Sequence, residues 1–293
     1  MNSTQLSALS RLFSSTVLRE MATKARSPLF SRLFGQSSLS HEQFAHQTVG
    51  SVFDAAFAAL RRSGLRNEYV YRAALTHNIL LGRHSLKTAS MLTEFRVGSC
   101  KADLVILNGT GTIYEIKSDR DSLARLPNQL ENYRKVFASV YVIAGALHVN
   151  EVLDLAPSDV GVLSLVRWDR IKTIREAVVR PELVCPLAIF ESLRTNEARA
   201  VLKTVKVAVS DVPNTLIRQE MRGHFAKLDP TLAHQKMVET LKRTRNLAPL
   251  GSLVELLPTS LQPAALFVQM GRAERERFVA ATRTPLTVAM NWA

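Results

Sequence analysis

The sequence predicts an α/β protein in which helices flank a mixed sheet, with helical additions at both ends. Two observations predict this class: apolar strand patterns surround one amphipathic helix in the centre, and helical spacing dominates on either side. Hydrophobic residues make up 46% of the chain and charged residues 22%, as in ordinary globular proteins. We expect an N-terminal helical extension over 1–65, a core over 66–169 and a basic, mainly helical region over 170–293.

The core elements follow in the order helix, three strands, helix, strand, strand. Helical spacing predicts helices over residues 41–65 and 67–81, and Asn67 is placed to cap the second. Between two apolar runs, Asn108–Gly109–Thr110–Gly111 is a strong hairpin signal. The remaining predicted elements are strands at 90–98, 101–109 and 112–118, a helix at 121–138, and strands at 139–145 and 160–166.

Both ends of the chain have helical patterns. Residues 1–34 are rich in serine and arginine, as in a mitochondrial transit peptide, but their leucines have helical spacing, which favours a packed helix. Helices with basic faces are expected after residue 170, and short helices and loops over 250–293. No apolar run approaches the roughly 20 residues of a membrane span. The two cysteines indicate neither a disulfide framework nor a zinc site, so we expect a cytoplasmic protein without a membrane partner.

The charge is unevenly distributed along the chain, whose formal net charge is +13. Residues 91–169 carry eight Lys and Arg against ten Asp and Glu, whereas residues 170–293 carry 19 against 11. Basic flanks around a mildly acidic centre favour a polyanion partner, most simply nucleic acid, over helices whose charge serves solubility alone. We expect the flanks rather than the core to supply affinity for nucleic acid.

Charged residues interrupt two of the predicted strands. Asp103 lies in one of them, and Glu115 and Lys117 lie two apart in the next, which puts that pair on one face. Charged groups among apolar residues are costly to desolvate unless they are paired, bind metal or face water. These three residues therefore mark either a salt-bridged structural hairpin or a functional site.

The register of the hairpin decides whether all three residues can converge. If Leu107 pairs with Gly111, Asp103 lies directly opposite Glu115. If Leu107 pairs with Thr112, Asp103 falls on the other face. Short loops with a left-handed residue favour glycine, which is available in this turn, so the pattern permits convergence.

One Asp, one Glu and one Lys on a common patch suit phosphodiester hydrolysis. Asp103 and Glu115 would hold Mg²⁺, a hard cation that prefers oxygen ligands, and the metal would polarise the phosphate and activate a bound water. Lys117 would orient the attacking water and offset the charge that develops on phosphorus. Without a metal, Lys117 would simply neutralise both carboxylates as an ion pair on a sheet.

The order Asp103-x11-Glu115-x-Lys117, followed by a helix with Gln129-x3-Tyr133, resembles the PD-(D/E)XK nuclease superfamily. There, the Asp interrupts the second core strand, Glu and Lys lie on the third, and Gln and Tyr lie on the helix behind it. The resemblance implies a restriction-endonuclease-like mixed sheet and a nuclease that uses Mg²⁺, with Mn²⁺ as a substitute. It also implies that Asp103 and Glu115 are metal ligands and that both are catalytic together with Lys117.

The resemblance is strongest over about residues 65–145, where the chain is similar to an uncharacterised bacterial family within the superfamily. That superfamily commonly adds an accessory acid, for which Glu68 and Glu94 are candidates. We favour Glu94, because it lies among apolar residues on the strand next to the motif Asp. The alternative is that Glu94 pairs with Arg96 or Lys101.

Further residues receive supporting roles from the resemblance. Gln129 and Tyr133 are four apart on one helical face, and they are implied to bind the substrate phosphate or the site water. Their alternative interpretation is a polar face and a core tyrosine. The weaker candidates for contacts with the nucleic-acid backbone are Arg96, Lys101, Arg120 and Arg125.

Two functional hypotheses follow from this sequence. The first is a metal-dependent nuclease that acts on DNA more readily than on RNA, with phage or mobile-element defence as the setting that the resemblance suggests. The second is a non-catalytic nucleic-acid-binding or protein-interaction module that retains the nuclease fold. The intact Asp, Glu and Lys favour the first hypothesis, and a homo-oligomer or a protein partner is left open.

Overall fold

A computed structural model describes residues 1–62, 64–210 and 213–292 of the chain. It is a mixed α/β protein with helices flanking the sheet, as predicted, and the sheet has six strands where five were predicted. The chain forms two compact units, of which the first contains residues 1–79, 167–170 and 248–293 and the second contains residues 80–166 and 171–247. Among the described residues, no helix is both long and apolar enough to cross a membrane.

The first unit begins with helices that bury an aromatic cluster. Phe13 stacks on Tyr69 with ring centroids 4.4 Å apart, and Phe53 packs edge-on against Phe13 at 5.4 Å. Asn67 caps the last of these helices as predicted, because its Oδ1 accepts the N–H of Val70. The helices are α1 Ser3–Leu12, α2 Ser15–Lys24, α3 Pro28–Gln36, α4 His41–Phe44, α5 Val49–Leu60 and α6 Glu68–Leu75, which continues as a π-helical turn over Thr76–Leu81.

The prediction of a single helix over 41–65 is wrong, because this stretch forms two helices, α4 and α5. Thr48 lies between α4 and α5, and its side chain caps α5 by accepting the N–H of Ser51. Since a capping residue has extended rather than helical backbone angles, the helical pattern is interrupted there.

The sheet follows the order of the sequence from one edge to the other. The first three strands are antiparallel neighbours, and the third, fourth and fifth are parallel neighbours. The predicted order of these five strands, with a helix after the third, is therefore confirmed, but the short helix Val149–Leu155 between the fourth and fifth strands was not predicted. The strands are β1 Ser90–Val97, β2 Cys100–Asn108, β3 Thr110–Lys117, β4 Ser139–Ala144, β5 Gly161–Arg167 and β6 Arg170–Arg175.

Strand β6 was not predicted, because none of its residues is buried and its sequence RIKTIR lacks an apolar face. Helices then cover one face of the sheet, where Val105 and Ile113 share a core with Phe190 and Met237. The helices that follow β3 in the second unit are α7 Leu126–Arg134, α8 Val149–Leu155, α9 Pro186–Ser192, α10 Thr195–Thr204, α11 Asn214–Phe225 and α12 Pro230–Thr244.

The predicted regions were divided after residues 65 and 169. The two observed units are not divided at those positions. Residues 171–247 belong with the sheet, since α9 packs against β1 and α12 packs against β2 and β3. The strand signal fades near residue 170, but the sheet continues through β6 to Arg175 and its core includes the helices that follow. The remaining helices belong to the first unit and are α13 Gly251–Leu256, α14 Gln262–Phe267, α15 Arg272–Arg283 and α16 Leu286–Ala289.

Candidate functional site

The turn between β2 and β3 adopts the register that allows the charged residues to converge. Leu107 pairs with Gly111, and Asn108 pairs with Thr110. Gly109 between them has a φ of +72°, a left-handed conformation that glycine tolerates without steric cost. The first of the two predicted registers is therefore confirmed.

The ladder between β2 and β3 ends just before the charged residues. Its last pair is Leu104 with Tyr114, so the same register puts Asp103 opposite Glu115. Here the backbone N–H of Ile116 donates a hydrogen bond to Oδ2 of Asp103 at 2.8 Å. Because Ile116 lies between Glu115 and Lys117 in the chain, this hydrogen bond holds the Asp103 carboxylate against the part of β3 that carries both residues.

Glu115 and Lys117 form a buried ion pair. Their side-chain exposures are 2% and 5%, and Nζ of Lys117 lies 3.0 Å from Oε1 of Glu115. Gln129 on α7 bridges the pair, because its Oε1 accepts from Lys117 at 2.9 Å and its Nε2 donates to Glu115 at 2.5 Å. The prediction that Glu115 and Lys117 share a face of the hairpin is confirmed, and Gln129 lies on that face too.

Tyr133, one turn after Gln129 on α7, completes the buried network. Its Oη lies 2.8 Å from Oε2 of Glu115 and 2.8 Å from the carbonyl oxygen of Lys101. A phenol carries one proton, so it donates fully to one of these acceptors at a time. Tyr133 therefore links the carboxylate of β3 to the backbone of β2.

Burial controls the protonation of this network. Burial raises the pKa of Glu115, and the Lys117 ammonium and the hydrogen bonds from Lys117, Tyr133 and Gln129 oppose that rise. Burial also raises the pKa of Tyr133, and the adjacent Glu115 carboxylate raises it further. The tyrosine hydroxyl therefore remains protonated and serves as a donor.

Glu94 lies at an irregular point of β1. Its φ is +52°, which non-glycine residues rarely adopt, and such strain is concentrated at functional sites. The ladder pairs Thr93 with Leu104 and Phe95 with Ala102, which leaves Glu94 facing Asp103 between them.

The side chain of Glu94 is close to charges of both signs. A carboxylate oxygen of Glu94 lies within 4.8 Å of one of Asp103. Oε2 of Glu94 lies 4.0 Å from Nζ of Lys101, and both side chains are more than half exposed. Both predicted roles of Glu94, as a second acid beside Asp103 and as a partner of Lys101, are thus compatible with its position. Glu68, the other candidate acid, belongs to the first unit, where it begins α6 and pairs with Arg72.

We expect Glu94→Gly to give a more stable protein than Glu94→Ala, by on the order of 1 kcal/mol. Both substitutions remove the same carboxylate, but only glycine relieves the left-handed backbone. Urea unfolding of the two variants measures the difference. A Glu94→Ala protein as stable as Glu94→Gly would contradict the strain at this position.

The four weaker candidates for nucleic-acid contacts all have exposed side chains. Arg96 pairs across the β1–β2 hairpin with Lys101, so the two lie side by side on one face. Arg120 lies in the loop after β3, and Arg125 is the residue before α7. The β1–β2 hairpin, the loop after β3 and the start of α7 therefore each carry exposed cations on segments that adjoin β2 or β3 in the chain.

Sequence reasoning missed the irregularity of β1 and β2. Ala102 and Val105 contribute to the same core although they are three residues apart, as do Leu92 and Phe95. Regular strands place residues two apart on one face, so both strands depart from alternation at the same level. The three-residue spacing of Leu92 and Phe95 was the signal in the sequence that could have revealed this irregularity. Glu94 lies between these two residues.

Sequence comparison connects the chain to a bacteriophage protein. The family model described as Bacteriophage P4 protein cII matches residues 61–245. Protein cII of Enterobacteria phage P4 is 34% identical over 102 residues, which are 34% of this chain. The chain thus spans 38% of the length of that relative.

Structural comparison finds similarity to a protein of unknown function from Silicibacter pomeroyi. The two are 18% identical, with a TM-score of 0.33, over 48% of this chain and 94% of that one.

The range matched by the family model begins just after α5 and ends just after α12. It therefore includes the whole sheet, the network around Glu115 and the helices packed on that sheet. Because this range is well over half of the sequence, the chain belongs to the bacteriophage P4 protein cII family.

Proposed function

We propose that this protein is a metal-dependent nuclease with a restriction-endonuclease-like core that hydrolyses phosphodiester bonds, primarily in DNA. The observation that carries the proposal is the buried Glu115–Lys117 pair with Asp103 bound to the amide between them. Burying a carboxylate and an ammonium is costly, and an apolar pair would often be more stable at such a position. A buried ion pair that adjoins a second carboxylate is therefore better accounted for by chemistry than by stability.

The donor set fits Mg²⁺ or Mn²⁺. Hard cations prefer carboxylate oxygens, which Asp103 offers beside Glu94, and Glu115 would exchange one of its hydrogen bonds for the metal. A carboxylate has about four lone-pair positions, so the hydrogen bond from Ile116 leaves Asp103 further capacity as a ligand. Bound there, the metal would polarise the scissile phosphate and lower the pKa of a coordinated water.

The chain itself supplies positioning and charge in this proposal. The Lys117 ammonium orients the attacking water and offsets the negative charge that develops on the phosphate. Gln129 holds Lys117 in place, and Tyr133 holds Glu115, through the hydrogen bonds described above. Residues whose side chains are locked by such bonds keep a reactive geometry with little reorganisation.

Affinity for DNA is assigned to exposed cations. Arg96, Lys101, Arg120 and Arg125 are exposed and flank the site residues in the sequence, and the basic residues beyond position 169 add a larger field. Neutralising several phosphates would make binding fall steeply with salt. A role in phage or mobile-element defence belongs to the proposal; the relative in phage P4 supports a link with mobile elements and does not bear on defence.

Replacing Asp103 with asparagine should abolish metal binding and cleavage without unfolding the protein. The amide oxygen can still accept the N–H of Ile116, whereas the charge that a divalent cation needs is removed. Calorimetry with Mg²⁺ and Mn²⁺, and cleavage of a DNA panel under single-turnover conditions, measure the two effects.

Asp169→Asn is the matched control, since it removes an exposed carboxylate that pairs with Arg167 outside the site. It should leave metal binding and cleavage unchanged. Metal binding and cleavage that persist in Asp103→Asn would refute the assignment of Asp103.

The alternative is a non-catalytic nucleic-acid-binding or protein-interaction module. One observation favours it: both oxygens of Glu115 already have partners within the protein, namely Lys117, Gln129 and Tyr133. A purely structural network would have the same contacts. Wild-type protein that binds DNA but neither takes up divalent metal nor cleaves any substrate would favour this module.

A further inference from the structure

The first unit contains an apolar groove with a basic rim. Leu253 and Leu256 of α13 face Val279 and Ala280 of α15 across a cavity of about 610 Å³. Leu256 is 53% exposed, so an apolar side chain remains open to solvent. Arginines border the cavity at positions 272, 275 and 283, against one acid at position 276. We call this surface the arginine groove.

Only two of these arginines are suited to meet a ligand. Arg275 donates to the carbonyl oxygens of Met270 and Pro249, so it holds the groove together. Arg272 forms a highly exposed pair with Glu276 at 3.4 Å, which is weak in water, and Arg283 is exposed at the end of α15. The groove therefore suits an occupant that is both apolar and acidic.

The second unit exposes a segment of that kind. Residues 146–155, the turn before α8 and the helix itself, expose Leu147 at 82% and Leu155 at 39%. Glu151 and Asp154 are exposed on the same helix. We call these residues the acidic segment.

The acidic segment is unusual within this chain. The sequence has 38 Lys and Arg, yet none lies between residues 136 and 166. Exposed leucines beside carboxylates complement a groove of leucine and valine beside arginines. In a protein of net charge +13, such a segment is also attracted to the basic surface of another copy.

We propose that the arginine groove of one copy binds the acidic segment of a second copy of this chain. The two surfaces differ, so every copy carries both halves of the contact and binds a second copy either reciprocally, as a dimer, or head to tail, as a longer chain. A segment of ten residues makes a smaller contact than the ~1,600 Å² of a standard stable interface. Assembly is therefore reversible, with a dissociation constant on the order of micromolar.

Sedimentation velocity of the 293-residue chain, freed of nucleic acid, tests the proposal over about 1 to 200 μM. The average mass should rise with concentration from that of the monomer to that of a dimer or a larger assembly. Leu147→Asp and Leu256→Asp should each weaken assembly about tenfold or more, because each adds a charge to the apolar contact. Leu216→Asp is the matched control, since Leu216 on α11 is also 53% exposed but lies outside both surfaces.

Charge-reversal variants distinguish this contact from non-specific association. The Arg272→Glu/Arg283→Glu and Glu151→Arg/Asp154→Arg variants should each assemble poorly alone, whereas an equimolar mixture should assemble. Assembly of the mixture requires only that the two contacting surfaces carry opposite charges. It does not depend on any particular pair of residues.

A monomeric mass at every concentration would overturn the proposal, and so would pairing of the two surfaces within one chain, which leaves the mass monomeric. Equal effects of the Leu216 and Leu256 substitutions would overturn it too. Binding of an anionic vesicle or an unrelated acidic peptide to the groove, without self-assembly, would assign the groove to another occupant.

Discussion

Replacing Lys117 with alanine should slow cleavage by about 10²–10³-fold at saturating metal and DNA, while both still bind. Loss of one charge that stabilises the transition state costs about 3–4 kcal/mol of barrier. Lys117→Arg should not restore the rate, since a planar guanidinium cannot replace a compact ammonium at a tight site. Single-turnover cleavage with Mg²⁺ or Mn²⁺ measures the effect.

The same substitution has a cost for stability, because the partner of Lys117 is itself buried. Without the ammonium, Glu115 is a buried carboxylate with hydrogen bonds only, and its raised pKa allows it to take up a proton instead. Lys117→Ala should therefore lose more stability at pH 8 than at pH 5, and added Mg²⁺ should recover part of the loss.

Glu115→Gln/Lys117→Met is the control, since it replaces the pair with neutral side chains of similar length. It should show a weaker dependence of stability on pH than Lys117→Ala shows. Cleavage that continues undiminished in folded Lys117→Ala would refute the catalytic role, whatever happens to the melting temperature.

Lowering the pH from 6.5 to 4 should cost the fold about 3 kcal/mol through His234 alone. His234 on α12 is 4% exposed, and its Nε2 accepts the N–H of Ala138 at the start of β4. Burial lowers the pKa of His234 to about 4. Between pH 4 and 6.5 the unfolded chain binds the proton and the folded chain does not, so stability falls as the pH falls.

His234→Gln should remove this part of the pH dependence, because a glutamine oxygen can accept the same N–H but does not titrate. Urea unfolding at several pH values compares the two proteins, and His46→Gln at an exposed histidine is the control. Titration of the His234 ring by NMR provides a direct second measurement. Identical pH profiles for wild type and His234→Gln would contradict the prediction.

Local chemistry explains which parts of the site could be predicted from the sequence. The glycines of the turn permit the register that the β2–β3 hairpin adopts, although they do not exclude the other, and two-residue spacing places Glu115 beside Lys117. Helical spacing places Gln129 and Tyr133 on one face of α7, and only the resemblance to the nuclease superfamily implied that this face meets the pair. Each of these inferences depends on residues within a few positions of one another, where sequence period and geometry correspond directly.

The parts that could not be predicted depend on contacts between distant segments or on backbone groups. The acceptor for Tyr133 is a carbonyl of β2, which has no sequence signature. The left-handed backbone of Glu94 arises opposite Asp103, where two strands lose regularity together. The helices after residue 170 join the core of the sheet through apolar faces that would equally suit a separate helical domain.

The sequential order of the strands has a consequence for biosynthesis. The residues of the candidate site from Glu94 to Tyr133 span forty consecutive positions, and the strands that carry them pair with immediate neighbours. Contacts between residues close in sequence form fastest, and a growing chain folds its earlier segments first. Strands β1 to β3 and helix α7 can therefore assemble while the ribosome is still adding α9 to α12. Those later helices then complete the core around a site that has already formed.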